Sequence, residues 1–146
     1  MSIWFNQTFP IDYVNDQGKD CLNQNIGITI TDAGKDYLKG EMFVDKRNTQ
    51  PAGFLHGGAS GAFCETLASW AATFVVNPEK YHVVGLELNV SHMRPGFAGS
   101  TLTGIARPLK IGKSIQFWAV DVYSEDGKQI CSSRVTMAVI EKPSEY

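Results

Sequence analysis

The chain has 146 residues, 43% apolar and 19% charged, which suits one compact domain over 1–146 and leaves too little for two. Thirteen basic residues against fifteen acidic ones give a net charge of −2 without a block of like sign, so the footprint of a nucleic-acid or membrane binder is missing. The opening Met1-Ser-Ile-Trp-Phe-Asn lacks a basic leader, and the longest apolar stretch, about Ala62 to Val76, is broken by Glu65, Thr66, Ser69 and Thr73. A cytoplasmic location is expected. Cys21, Cys64 and Cys131 are odd in number and form no CxxC pair, which fits reduced, mostly structural thiols.

Residues 1–24 carry Trp4, Phe5, Phe9 and Tyr13, too many aromatics for a solvated tail, and read as a poorly defined arm or short helix packed on the body. Ile26-Gly-Ile-Thr-Ile-Thr alternates in the manner of a strand, Asp32 to Asp36 turns, and Tyr37 to Val44 resumes extension, giving an antiparallel pair. A helix is predicted over about Gly57 to Val76. It is apolar nearly all round, hence enclosed by other structure. Val83–Ser91, Thr101–Leu109, Ser114–Ser124 and Gln129–Ile140 are rich in β-branched and aromatic residues, with breaks at Pro95-Gly96, Gly112 and Asp126-Gly127. They read as a four-stranded antiparallel meander. The order β-β-α-β-β-β-β predicts an α+β fold, a curved antiparallel sheet of about six strands wrapped around one long central helix.

On that helix Glu65 and Ser69 share one face, with Thr66 and Thr73 alongside. A buried carboxylate costs several kcal/mol unless paired or protonated, and the helix holds no Lys or Arg. Glu65 is therefore either a satisfied structural carboxylate or the acid, base or nucleophile of a cleft. Gly57 and Gly58, where the helix begins, offer unpaired N–H groups and the positive end of the macrodipole, the outline of an oxyanion hole. A phosphate loop would need GxxxxGK[ST], which is missing. His56 is expected to shape this end rather than carry protons. His56, His82 and His92 lack the spacing of a zinc site, so no metal is expected.

Gly57 and Glu65 are separated by roughly 12 Å of helix rise, more than the 3 Å or so between an attacked carbonyl carbon and both its nucleophile and its oxyanion donors. A two-fold dimer with antiparallel helices would bring Gly57 of one copy to Glu65 of the other.

The stretch Gln50-Pro-x-Gly-x-x-His56-Gly-Gly-Ala-Ser-x-x-x-x-Glu65-x-x-x-Ser69 resembles the active-site signature of hotdog-fold acyl-CoA thioesterases. The branch is the PaaI-like one, with the 4-hydroxybenzoyl-CoA and 1,4-dihydroxy-2-naphthoyl-CoA enzymes. The likeness continues through Val83 to Arg94, Arg107 to Gly112 and Cys131 to Thr136, and so covers roughly residues 25–140. It implies that Glu65 attacks the thioester or activates water, Gly57 N–H receives the oxyanion, Gln50 and His56 help orient the thioester, and Ser69 positions water or assists the leaving side. It further implies a coenzyme A region of Gly85, His92, Met93, Arg94, Pro95, Lys110, Ile111, Gly112, Lys113 and Ser114, with Arg94, Lys110 and Lys113 near the phosphates. The implied assembly is a homotetramer made of two dimers with shared sites. Coenzyme A is part of the substrate, and no separate cofactor is implied.

Phe54, Phe63, Trp70 and Phe74 either shape an aromatic acyl pocket or fill the core, the core being the simpler use. A hotdog dehydratase would need a different His arrangement before the helix. A non-catalytic acyl-CoA binder would gain nothing from an unneutralised carboxylate beside the thioester.

Overall fold

The computed structural model describes residues 1–143. Two short helices, α1 (Ile11–Gln17) and α2 (Leu22–Asn25), precede the strands β1 (Ile28–Ala33) and β2 (Leu38–Phe43). The long helix α3 (Gly57–Phe74) follows, then β3 (Tyr81–His92), β4 (Thr101–Ile111), β5 (Ile115–Tyr123) and β6 (Gln129–Glu141). Every strand pairing is antiparallel and the strands form one sheet, with α3 packed on β2 to β6. No helix among the described residues is long and apolar enough to cross a membrane.

The strand order β1-β2-β4-β5-β6-β3 corrects the four-stranded meander. Of those four strands, only β4, β5 and β6 follow one another across the sheet. β3 pairs with β6 from Tyr81↔Glu141 to His92↔Cys131, so residues 93–100 cross the sheet instead of making a hairpin. The reason lies in Met93 and Arg94, whose N–H groups donate to the Ile130 carbonyl, and in Leu55 N–H, which donates to Gly96 O. These bonds hold the segment against the loop before α3. β3 begins at Tyr81, two residues before the Val83 expected from sequence.

The helix can approach the sheet because two strands yield room for one side chain. Gly40 of β2 lies opposite Gly104 of β4. A Cβ on Gly40 would stand 2.7 Å from a Leu67 methyl, and one on Gly104 2.6 Å from the other methyl and 3.0 Å from the Phe63 ring. Leu67, Phe63, Ala68, Ala71 and Ala72 are fully buried there with Trp118, Val120 and Met137. Gln116, also fully buried, accepts from Trp118 Nε1 at 2.9 Å and donates to Ala72 O at 3.4 Å, so the core indole is satisfied by a neighbour on its own strand.

The N-terminal segment is fastened to this core. Trp4 is buried, donates from Nε1 to Gly34 O at 2.8 Å and meets Phe9 edge-on, while Phe9 meets Phe74 of α3 the same way. Phe5 N–H donates to Phe74 O at the C-terminal end of α3. Asn15 pairs its side-chain amide with both N–H and C=O of Ile30, each at 2.8 Å, and so closes part of the free edge of β1. Cys64 and Cys131 are buried and free, and Cys21 is free at the surface. Hydrogen bonding to Cys64 together with burial pushes the Cys131 thiol up, so it stays protonated.

The glycine slot makes a quantitative prediction. Gly104→Ala should cost about 1–3 kcal/mol by overpacking, and Leu67→Ala about 2–5 kcal/mol by leaving a cavity. The added methyl has room once Leu67 is truncated, so urea denaturation of the double variant should show a loss well below the sum of the two. Strict additivity would mean that Leu67 does not fill this slot.

Candidate active site

The approach to α3 is built by a polar knot. Asn48 is only 4% exposed and donates from Nδ2 to Ile26 O at 2.9 Å and to Phe43 O at 2.8 Å, while its Oδ1 accepts from Asp45 N–H. Its own carbonyl accepts from His56 N–H at 2.8 Å. One residue thereby joins the approach to β1, the end of β2 and the entrance of the helix. Between Thr49 and Leu55, which form an isolated bridge, the chain turns tightly through Gly53 at φ +87. Gln50 N–H donates to Phe54 O, and Gln50 Oε1 accepts from Ala52 N–H.

His56 is the N-cap of α3. Its Nδ1 accepts from Gly58 N–H at 2.8 Å, so its neutral form carries the proton on Nε2. Its carbonyl takes Ala59 N–H and Ser60 N–H. Gly57 N–H has no acceptor among the described residues, and Gly57 lines a cleft of about 370 Å³ with Gln50, Ser60, His92, Met93, Arg94 and Pro95. Of the first amides of the helix, it is Gly57 that remains open to a ligand. His92 stands over it: a Cβ on Gly57 would lie 3.3 Å from the His92 ring, and His92 Nε2 is 3.0 Å from the hydroxyl of the buried Ser60. Arg94 is exposed and donates from Nη1 to Gln129 O at 2.8 Å.

Glu65 lies elsewhere. Helix and strand run alongside each other, with Gly57 against His92, Gly61 against Leu88, and Glu65 against Gly85, where a Cβ would stand 2.5 Å from Glu65 Oε1. Glu65, Thr66 and Ser69 line a second cavity of about 270 Å³ with Leu22, Asn23, Ala62 and Trp70. None of the ion pairs among the described residues involves Glu65. Glu65 is exposed in the single chain, which corrects the expectation of a carboxylate already withdrawn from water; the edge strand beside it leaves that side open.

Lys110, Ile111, Gly112, Lys113 and Ser114 form the tip joining β4 to β5, tightened by Gly112 N–H to Ile115 O. They line neither cavity. The row Ile111, Gln116, Met137, Gly85 across four strands places the tip toward Glu65, away from Gly57. Within one chain the structure thus gathers Gln50, His56, Gly57 and His92 to Pro95 at one place, and Glu65, Ser69 and Gly85 at another. Among the described residues no group of three His, Cys, Asp or Glu is assembled that could hold a metal. Asn48 and Ser60 escaped the sequence reading: a single Asn in a turn and a Ser in an apolar helix carry no signal beyond their own polarity.

A curved sheet wraps one helix, with the Gly57 amide open at the helix start and the Glu65 carboxylate unpaired two turns on. The family described as Thioesterase superfamily matches residues 52–131. The structure superposes on a mutant thioesterase from Pseudomonas aeruginosa with a TM-score of 0.93 at 34% identity, covering 97% of this chain and 100% of that one. It superposes on a thioesterase from Haemophilus influenzae, classed among thioester hydrolases, with a TM-score of 0.91 at 36% identity and 99% coverage of both. A Vibrio cholerae protein is 40% identical over 139 residues, 95% of this chain and 91% of its own length. The chain belongs to the thioesterase superfamily, has its hotdog fold, and is a thioester hydrolase.

The cap yields a prediction that is independent of substrate. His56→Ala should lower stability by about 0.5–2 kcal/mol, and His56→Asn, which also caps, should recover most of it. Urea denaturation of both variants measures this, and an unchanged His56→Ala midpoint removes His56 as a cap.

Proposed function

We propose that the chain hydrolyses acyl-coenzyme A thioesters at two equivalent sites, each composed of the Gly57 cleft of one copy and the Glu65 cavity of another. The observation that carries this reading is the separation of an open helix amide from an unpaired carboxylate on the same chain. The oxyanion at the attacked carbonyl accepts from Gly57 N–H, with Gln50 and His56 orienting the thioester. Ser69 and Glu65 line one cavity, which suits a water held by both. Glu65 takes a proton from that water as its oxygen bonds to the carbonyl carbon. The C–S bond then breaks, and the thiolate leaves and receives the proton; one water yields one acid and one thiol. Met93, Arg94 and Pro95 lie at the mouth of the Gly57 cleft for the coenzyme A arm, and Lys110 and Lys113 offer charge for its phosphates. An aromatic acyl group such as 1,4-dihydroxy-2-naphthoyl suits a cavity walled by the Trp70 indole, itself stacked on Phe74.

The sharing follows from the sheet. β3 is an edge strand, and Val84, Leu86 and Leu88 on it are 43%, 59% and 37% exposed. Two β3 strands paired antiparallel about a dyad normal to the sheet keep both helices on one side. Because Gly57 sits at His92 and Glu65 at Gly85, aligning one half-site with the other puts the dyad between Leu88 and Asn89. Pairing of two such dimers into a tetramer rests on the family resemblance.

Glu65→Gln keeps size and removes charge. It should lower kcat for thiol release from benzoyl-CoA and hexanoyl-CoA by about 10²–10⁴-fold while leaving binding in place. Binding of both thioesters without thiol release even by the unaltered protein would instead make it an acyl-CoA binder. Gly85→Ala should also depress turnover, because the new methyl displaces the carboxylate; unchanged kcat with a normal fold detaches Glu65 from the chemistry.

Complementation tests the sharing. Equal amounts of a Gln50→Ala/Gly57→Pro chain and a Glu65→Gln chain, unfolded and refolded together, should regain about a quarter of normal activity, since half the dimers carry one intact site. No recovery despite mixed dimers places the whole site within one chain.

A further inference from the structure

The cavity beside Glu65 does not end in solid core. On the far side of Asn23 and Trp70, which line both spaces, lies a second cavity of about 280 Å³. Its lining combines the buried apolar trio Val14, Ile28 and Ile30 with the polar Asn15, Lys19, Gln24, Thr29 and Arg47. Asn23 and the Trp70 indole stand between the two spaces, and Thr66 on α3 donates its hydroxyl to Asn23 Oδ1 at 3.3 Å. Asn23 belongs to α2, a four-residue helix in the N-terminal segment, before the residues matched by the family description. Its position is fixed by local structure. Asn25 N–H donates to Cys21 O, Asp20 N–H donates to Gln24 Oε1, and Gly18 packs close to the Asn23 side chain.

We propose that the Asn23–Thr66 contact is a chain-length gate, which stops an acyl group bound beside Glu65 from running on into the cavity over Val14, Ile28 and Ile30. This rests on the acyl-CoA reading above and names what sets its substrate range. A short or compact aromatic acyl group stays in front of the partition, between Leu22, Ala62 and Trp70. A long straight chain meets the Asn23 amide and the Thr66 hydroxyl, and its distal methylenes remain in water instead of reaching the apolar trio behind. At 3.3 Å between two half-buried groups the contact is a weak hydrogen bond, so removing it costs the fold little. Neither residue serves the reaction itself.

The test compares the unaltered protein with Asn23→Ala, which opens the partition, and Thr66→Val, which breaks the contact at constant size. Hydrolysis of hexanoyl-, decanoyl- and dodecanoyl-CoA is followed, alongside binding of the matching non-hydrolysable thioethers. Asn23→Ala should raise the dodecanoyl-to-hexanoyl ratio of kcat/KM by about tenfold or more. Thr66→Val should move it in the same direction by less, and thioether affinities should follow. A length profile unchanged by both variants, in hydrolysis and in binding, overturns the gate. Thioether affinities that shift with chain length while no protein releases thiol keep the gate and overturn the catalytic reading instead.

Discussion

Everything about this site depends on how closely α3 lies against the sheet, and that closeness is set by side chains that are missing. Gly40 and Gly104 yield their space to the methyls of Leu67, Gly61 lets Leu88 approach, and Gly85 leaves a seat for the Glu65 carboxylate. A methyl at any of the first, second or last of these positions would meet a heavy atom at 2.7 Å or less. Dispersion falls away steeply when packed groups separate, so a helix lifted off by even one methyl would forfeit much of what holds Leu67, Phe63 and the alanines of α3 in place. The same seating fixes the track of the helix along β3 and therefore fixes where Gly57 and Glu65 lie relative to that strand.

This explains what could be read from the residues alone. The long helix was legible because its apolar positions leave few polar interruptions, and Glu65 stood out because a carboxylate in such company needs a reason. The six strands were legible from β-branched and aromatic runs. Their order was not. Whether β3 pairs with β4 or with β6 is decided by backbone bonds from Met93 and Arg94 to Ile130 and from Leu55 to Gly96, donors that every residue except proline possesses. The sequence marks Pro95-Gly96 as a break, but a break is equally compatible with a hairpin or a crossing. The burial of Glu65 was misjudged for a related reason: its helix is enclosed on the face that Leu67 presents, whereas the Glu65 face looks over an edge strand.

Polar residues with structural duties were the least legible. Asn48 supports the entrance of α3 through Ile26 just before β1, Phe43 at the end of β2 and Asp45 just after it, and only the folded chain brings these together. His56 was recognisable as a residue of the helix start, yet its task as N-cap depends on Nδ1 meeting Gly58 N–H. By occupying that amide it leaves Gly57 N–H as the open donor, so one imidazole both stabilises the helix and selects which amide stays unpaired. An oxyanion aimed at a single unpaired N–H is held at a defined point, which is what makes preorganised dipoles effective.

The two edges of the sheet are treated differently, and the difference bears on activity. At β1 the side chain of Asn15 takes both backbone groups of Ile30, a substitute for a neighbouring strand. Nothing comparable covers β3 among the described residues, although it is one of the longest strands and carries three exposed aliphatic side chains. An open edge of that kind invites pairing. Glu65 and Gly57 sit along this same strand at distances that a two-fold operation would interchange. A second copy docking there would cover the aliphatic residues, satisfy the edge, and withdraw the carboxylate from bulk water beside a helix N-terminus. Assembly would then supply what the lone chain lacks, a positive dipole facing a negative side chain in a confined space, so that a dissociated copy keeps its fold and loses its chemistry.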